Sequence, residues 1–188
     1  DGLIADVRIY DALIGSTAID GISNGTNITT NLVGHWLTDA DNVLDAAGTN
    51  HGTNYGSKYS YDNPSPPVEF GSASRIFDGV DDYVDLGNIH NDTVFTVSAW
   101  IKRHLINAAY SEGVVGKWAT TSDDDKHWLL FSTPAEHKFI INQTDNTKII
   151  CAGPASISSN QWYHLAATLD GTNIKLYIDG SLVDTQTY

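Results

Sequence analysis

What the chain has little of sets its first limits. Its 188 residues include no methionine and one cysteine, Cys151. A single thiol excludes an intrachain disulfide framework. Cys151 follows Ile149 and Ile150 in a strand-like run, so it reads as a small buried hydrophobe rather than a nucleophile. Basic residues are also scarce, with ten Lys and Arg against 23 Asp and Glu and a net charge of −13. That balance argues against duplex and single-stranded nucleic acid, whose phosphates need basic grooves. No apolar run approaches the roughly 18 residues that a bilayer span requires. Glutamate is limited to Glu69, Glu112 and Glu136. Helical periodicity is almost missing, and nothing suggests a βαβ unit.

What is present fits a β protein. Hydrophobic residues make up 41% of the chain, which is enough for a proper core and against wholesale disorder. Asp, Asn, Thr, Ser and Gly dominate the polar positions and supply turns. Short alternating runs are separated by turn signals. Leu3 to Tyr10 alternates, with Ile4, Asp6, Arg8 and Tyr10 on one face and Leu3, Ala5, Val7 and Ile9 on the other. In Thr93 to Arg103, Phe95, Val97, Ala99 and Ile101 form the expected core face. Ser74 to Leu86 reads as a strand–turn–strand hairpin, with Asp78-Gly79 at its turn and Asp78, Asp81 and Asp82 crowded together. His127 to Ser132, Lys138 to Gln143 and Lys148 to Ala152 read as a meander, and Trp162 to Ile178 as a hairpin around Asp170-Gly171. These signals predict an all-β antiparallel sandwich of jelly-roll type.

Four stretches, in register, carry a family resemblance. They are Leu32-Val-Gly-His-Trp36 with the loop Asp45 to Gly52, Phe77-Asp-Gly-Val-Asp-Asp-Tyr-Val84, Phe95 to Lys102, and Gln161 to Gly180. Together they resemble the laminin-G-like domains, which are concanavalin A-like and related to pentraxins. The resemblance implies a laminin-G-like sandwich over residues 32–188 that lacks its last strands. Gly21 to Asn31 reads as a linker. Residues 1–20 resemble the closing strand of such a domain, displaced to the front. Two arrangements follow: a slice of a tandem array, or a strand that completes this sandwich as in a circular permutation. An unpaired edge strand is a liability, so the slot is expected to be filled, either in cis or by self-association through the N-terminal strand.

The fold hosts many activities, so function has to come from the site. The concanavalin A-like glucanases carry a strand of the type Glu-x-Asp-x-Glu, which this chain lacks. A nucleophile elbow and a His-x-x-x-His zinc pair are missing too. Calcium takes oxygen ligands from Asp and turn carbonyls. The structural calcium common in such sandwiches carries over to Asp6, Asp39 and Asp78. For a glycan, indoles that stack on pyranose rings beside polar groups point to Trp118, Trp128, His127 and Asp124 around the Asp-rich loop. The reading is a non-catalytic binding or adhesion module of an extracellular, cell-surface or virion protein, with carbohydrate or a cell-surface protein as partner. A polysaccharide hydrolase or lyase, and a spacer repeat that assembles by strand exchange, are the alternatives.

Overall fold

The computed structural model describes residues 1–37, 42–64, 73–88, 93–104, 111–117, 127–143 and 147–188. In chain order the elements are β1 (Gly2–Tyr10), α1 (Ser16–Ser23), β2 (Leu32–Leu37), β3 (Leu44–Asp45), β4 (Thr53–Tyr55) and β5 (Lys58–Ser60). They continue with β6 (Ser74–Phe77), β7 (Tyr83–Asp85), β8 (Phe95–Arg103), β9 (Glu112–Lys117) and β10 (His127–Ser132). Last come β11 (His137–Asn142), β12 (Lys148–Ala152), β13 (Trp162–Leu169), β14 (Asn173–Ile178) and β15 (Ser181–Thr187). All strand pairing is antiparallel, and the molecule is a β-sandwich. One layer runs β15-β14-β13-β8-β1-β2-β3, with β6 and β5 attached beside β1. The other is split into β12-β11-β10-β9 and the separate pair β4-β7.

The first strand lies near the middle of the larger sheet. One edge of β1 pairs with β8, from Gly2↔Arg103 to Tyr10↔Thr96. Its other edge is shared, by β6 along Gly2 to Ile4 and by β2 along Val7 to Tyr10. The register against β8 shifts between Ala5 and Arg8, where two residues of β1 oppose Ala99 alone. Asp6 sits in this bulge at φ 49°, a left-handed conformation that non-glycine residues adopt rarely. The bulge inverts the alternation read from the sequence. Ile4 pairs with Ile101 and shares the inner face with Val7 and Ile9, while Leu3 and Ala5 fall opposite Lys102 and Trp100 on the outer face. One extra residue is enough, because the side-chain period of a strand is two.

The core between the layers is built as the sequence indicates. Phe95, Val97, Ala99 and Ile101 of β8 meet Leu130, Phe139 and Ile141 of the opposite sheet, together with Trp36, Leu165 and Leu176. Cys151 is fully buried there, and burial pushes its thiol up to about 12, so it is chemically inert.

Two segments differ from the sequence reading. Residues read as the end of a strand and the start of a linker form α1. Ile19 and Ile22, three positions apart, lie on one face of this helix and are completely buried in a second cluster with Tyr10, Ile14, Ala166 and Tyr177. Eight residues give too little periodicity to stand out in a sequence, and packing on the outer face of the large sheet holds the helix in place. Ser74 to Leu86 is also not a hairpin. β6 pairs with β1 and β5 in the first layer, whereas β7 pairs with β4 in the second. The turn between them therefore carries the chain across the sandwich.

The outer face of the large sheet buries a polar cluster beside the helix-covered patch. The Asp6 carboxylate accepts from Arg8 Nε at 3.0 Å and lies 2.6 Å from His35 Nε2. His164 is fully buried near them, its ring 5.3 Å from that of Trp100. Neither of its ring nitrogens has a hydrogen-bond partner among the described residues. Burial, opposed by Asp6 and reinforced by Arg8, lowers its pKa to about 4. Burial, with Arg103 nearby, lowers His137 to about 4 as well. The unfolded chain binds these protons near pH 6.5, before the folded one does. Stability is therefore complete above that pH and is lost as pH falls from 6.5 towards 4. Thermal unfolding at stepped pH should show the midpoint falling below pH 6.5, and His164→Leu, if it folds, should flatten the slope. A midpoint independent of pH between 6.5 and 5 would contradict this account.

Candidate ligand-binding site

The β4–β7 pair and the turn before it gather exposed aromatic and acidic groups. Val84 points inward and packs, with Leu86, against the main core. Alternation then turns Tyr83 and Asp85 outward. The register Thr53↔Asp85 and Tyr55↔Tyr83 places Thr53 and Tyr55 beside them. The two tyrosine rings stack with centroids 4.5 Å apart and planes inclined at 12°. Both remain half-exposed, Tyr55 at 46% and Tyr83 at 52%. Most large aromatic rings end up buried, so a stacked and exposed pair on a rigid two-stranded scaffold stands out.

The crossover turn completes the patch. Asp78 accepts the Val80 amide at 2.8 Å, and Asp82 accepts the Asp78 amide at 2.9 Å. The amides of Val80, Asp81 and Asp82 keep the exposed Asp78 carboxyl below the usual carboxylate range. Asp78, Asp81 and Asp82 can each bring an oxygen within 4.8 Å of the others. The Asp82 carboxylate also lies over Gly56, which has φ +84° and no room for a Cβ. Asp82 therefore stands next to Tyr55.

A second organised loop lies beyond β3. The Asp45 carboxylate accepts the amides of His35 at 2.9 Å, Ala47 at 2.9 Å and Asn50 at 3.1 Å. Burial raises this carboxyl, but those amides and that of Gly48 outweigh it and leave it below its ordinary value. His51 Nδ1 accepts the Asp45 amide at 3.2 Å, and the Trp36 indole donates to the Asn50 carbonyl. Asp45 is thus a loop organiser.

The residues expected from the sequence fare differently. Trp128 is 3% exposed and packs against Phe95, ring centroids 5.0 Å apart, and against Phe139. It is a core side chain and offers no face to a sugar, which corrects the stacking role expected of it. His127 opens β10, its backbone opposite Asn142. Trp118 and Asp124 lie outside the described residues, as does Asp39. Asp6 is also corrected: its Oδ1 meets Arg8 and His35 in the buried cluster, and among the described residues it does not join Asp78 in a group of possible metal ligands. Asp78 remains in an acidic group, now with Asp81 and Asp82. Sequence reasoning missed Tyr55 because no local pattern marks it, and only the register shows that it faces Tyr83.

Comparison with known proteins fits this architecture. A laminin G-type family model, described as the concanavalin A-like lectin/glucanases superfamily, matches residues 78–188. The chain belongs to that superfamily. No curated protein matches it. Among solved structures it is similar to the binding domain of Paraclostridial Mosquitocidal Protein 1, at 18% identity and a TM-score of 0.64, covering 86% of this chain and 41% of that one. It is also similar to the binding domain of botulinum neurotoxin serotype D, at 18% identity and a TM-score of 0.56, covering 85% and 40%. These likenesses concern the fold, and this chain spans about two-fifths of either structure.

Replacing Gly56 by Ala forces a Cβ into the Asp82 carboxylate at a positive φ. The change should cost about 1 kcal/mol from the backbone alone, and more from displacement of Asp82. Urea unfolding should show the loss, and near-UV circular dichroism should report disturbed tyrosines. An unchanged midpoint would mean that the turn does not rest on this contact.

Proposed function

We propose that the chain is a non-catalytic recognition module for neutral carbohydrate, bound on the Tyr55–Tyr83 platform. The observation that carries this reading is the exposed tyrosine stack flanked by Asp82, Asp85 and Thr53. Aromatic faces pack against the apolar C–H faces of a pyranose ring, and neighbouring carboxylates accept its hydroxyls. The acidic surroundings and the net charge of −13 select against sialylated or sulfated sugars.

Among the described residues, the electrostatics of the carboxylates support a binding role over an enzymatic one. A glycosidase acid needs a raised pKa with a second carboxylate nearby. Asp45, Asp62, Asp78, Asp170 and Asp184 are all shifted downward. Asp179 is raised by burial, but its carboxylate holds the backbone amide of His164. Glu112 is tied to Arg103, and Glu136 to Lys138. Among the described residues no helix is long and apolar enough to cross a membrane. Presentation of the module outside the cell, on a cell surface or a virion, agrees with a glycan ligand.

Calcium fits this scheme as a brace of the 78–82 turn on Asp78, Asp81 and Asp82, whose mutual repulsion it would relieve. Saturating calcium should then raise the thermal midpoint by several degrees over EDTA at equal ionic strength, and Asp78→Ala should remove the difference. Equal midpoints would take calcium out of the scheme.

The platform itself is tested on an array of neutral and anionic glycans, with hits confirmed by titration. Tyr55→Ala and Tyr83→Ala should each weaken a neutral ligand about tenfold, or about 1.4 kcal/mol, while Tyr83→Phe keeps most of the affinity. Binding that survives both alanine variants would place the site elsewhere.

A further inference from the structure

The tyrosine platform, read as a sugar site, is closed at both ends by a carboxylate. Asp85 and Thr53 lie on one side of the stacked rings, and Asp82, held over Gly56, lies on the other. At about 3.3 Å per residue, the three steps from Asp82 to Asp85 span roughly 10 Å. Each carboxylate gives one oxygen to the backbone. Asp85 Oδ1 accepts the Gly87 amide at 2.8 Å, and Asp82 Oδ2 accepts that of Asp78 at 2.9 Å. Among the described residues the second oxygen of each takes no hydrogen bond, and neither carboxylate is in an ion pair. The cations of neighbouring strands are placed elsewhere. Arg75 is buried and donates to Ser57, Arg103 pairs with Glu112, and Lys102 pairs with Asp62. Lys58 belongs to β5 in the other layer, and Lys117 stands opposite the inward-facing Trp128, on the inner side of its strand.

This arrangement favours positive charge on the bound sugar. Aromatic faces attract a cation through their ring quadrupole. Two carboxylates without ion-pair partners make the ground between them negative, and the net charge of −13 adds to it. A sugar hydroxyl meets only the hydrogen-bonding capacity of these carboxylates. An ammonium group meets their charge as well, and a charge-assisted hydrogen bond is about twice as strong as a neutral one. A basic peptide brings the charge but not the apolar C–H face of a pyranose, which is what half-exposed tyrosines pack against. We propose that the platform selects oligosaccharides of cationic amino sugars over their N-acetylated counterparts. The selection rests on the platform being the sugar site, and it adds the chemical class of sugar that the site prefers.

The test titrates the whole chain with β-linked trisaccharides of glucosamine and of galactosamine, and with the fully N-acetylated form of each. EDTA is present, so that calcium does not occupy Asp82. At low salt and a pH where the amines are charged, the better amino form should bind about tenfold more tightly than its N-acetylated counterpart. A cation–π contact and an exposed ion pair each contribute about threefold to that ratio. The ratio should shrink towards one at high salt, where exposed charges are screened, and again when the pH is raised until the amine is neutral. Tyr83→Ala should weaken both forms. Asp85→Asn, which keeps an acceptor for the Gly87 amide, should lower the ratio about threefold. Equal binding of the two forms, both sensitive to Tyr83→Ala, overturns the amine preference and leaves the platform standing. Absence of binding by both amino forms at millimolar concentration overturns it too, while the platform stands or falls with the neutral hits of the array. A trilysine peptide that binds as tightly as the amino sugars reduces the effect to charge alone and overturns the proposal. So does a ratio unchanged in Asp85→Asn.

Discussion

Everything else in this sandwich depends on how β1 is seated. It joins β8 to β2 and β6, so the larger sheet is one continuous surface only because this strand fills its middle. Its inner side chains belong to the main core, and its outer ones anchor both the helix-covered patch and the buried Asp6–Arg8–His35 group. One strand therefore serves both faces. The bulge at Asp6 makes this possible, because an unbroken strand would turn Asp6 and Ile4 to the same side.

The same constraint explains the polar cluster. Arg8 and His164 are fully buried, and Asp6 lies close to both. Burying charge in a protein interior is costly unless partners are close. Here the carboxylate sits between a guanidinium and an imidazole, which keeps the cost tolerable. Such groups also disfavour alternative registers, since slipping β1 by one residue would leave Asp6 and Arg8 in the apolar layer.

The architecture was largely legible in the sequence. Alternation in Phe95 to Ile101, the turn chemistry at Asp170-Gly171 and the motif around Asp45 each reflect local physics, and each appears where it was read. Features set by pairing partners were not legible. Ile76 to Val84 carries the signals of a hairpin, yet its strands are claimed by β1 on one side and β4 on the other. Trp128 has the flanking residues of an exposed loop edge, but its place in β10 turns the indole inward against Phe95. Tyr55 gains significance only from Tyr83, 28 positions later, through a two-stranded register that no local pattern announces. Site residues are harder to read than core residues, because a core position repeats with the period of its strand and a site is assembled once.

The seating of β1 also governs the order in which the chain can acquire its form. The strand β1 has its longest pairing with β8, about a hundred residues downstream, as Gly2 opposite Arg103 shows. As the chain leaves the ribosome, β1 therefore waits, alternately apolar and unpaired, until β2, β6 and β8 have followed it. The helix α1 closes over Tyr10 and Ile14 but also packs on Ala166 and Tyr177, so it cannot dock early either. With contacts this non-local, the large sheet forms late and cooperatively, in the slow regime of all-β sandwiches. Nascent chains carrying this domain thus depend on protection of their leading strand for most of the domain's synthesis.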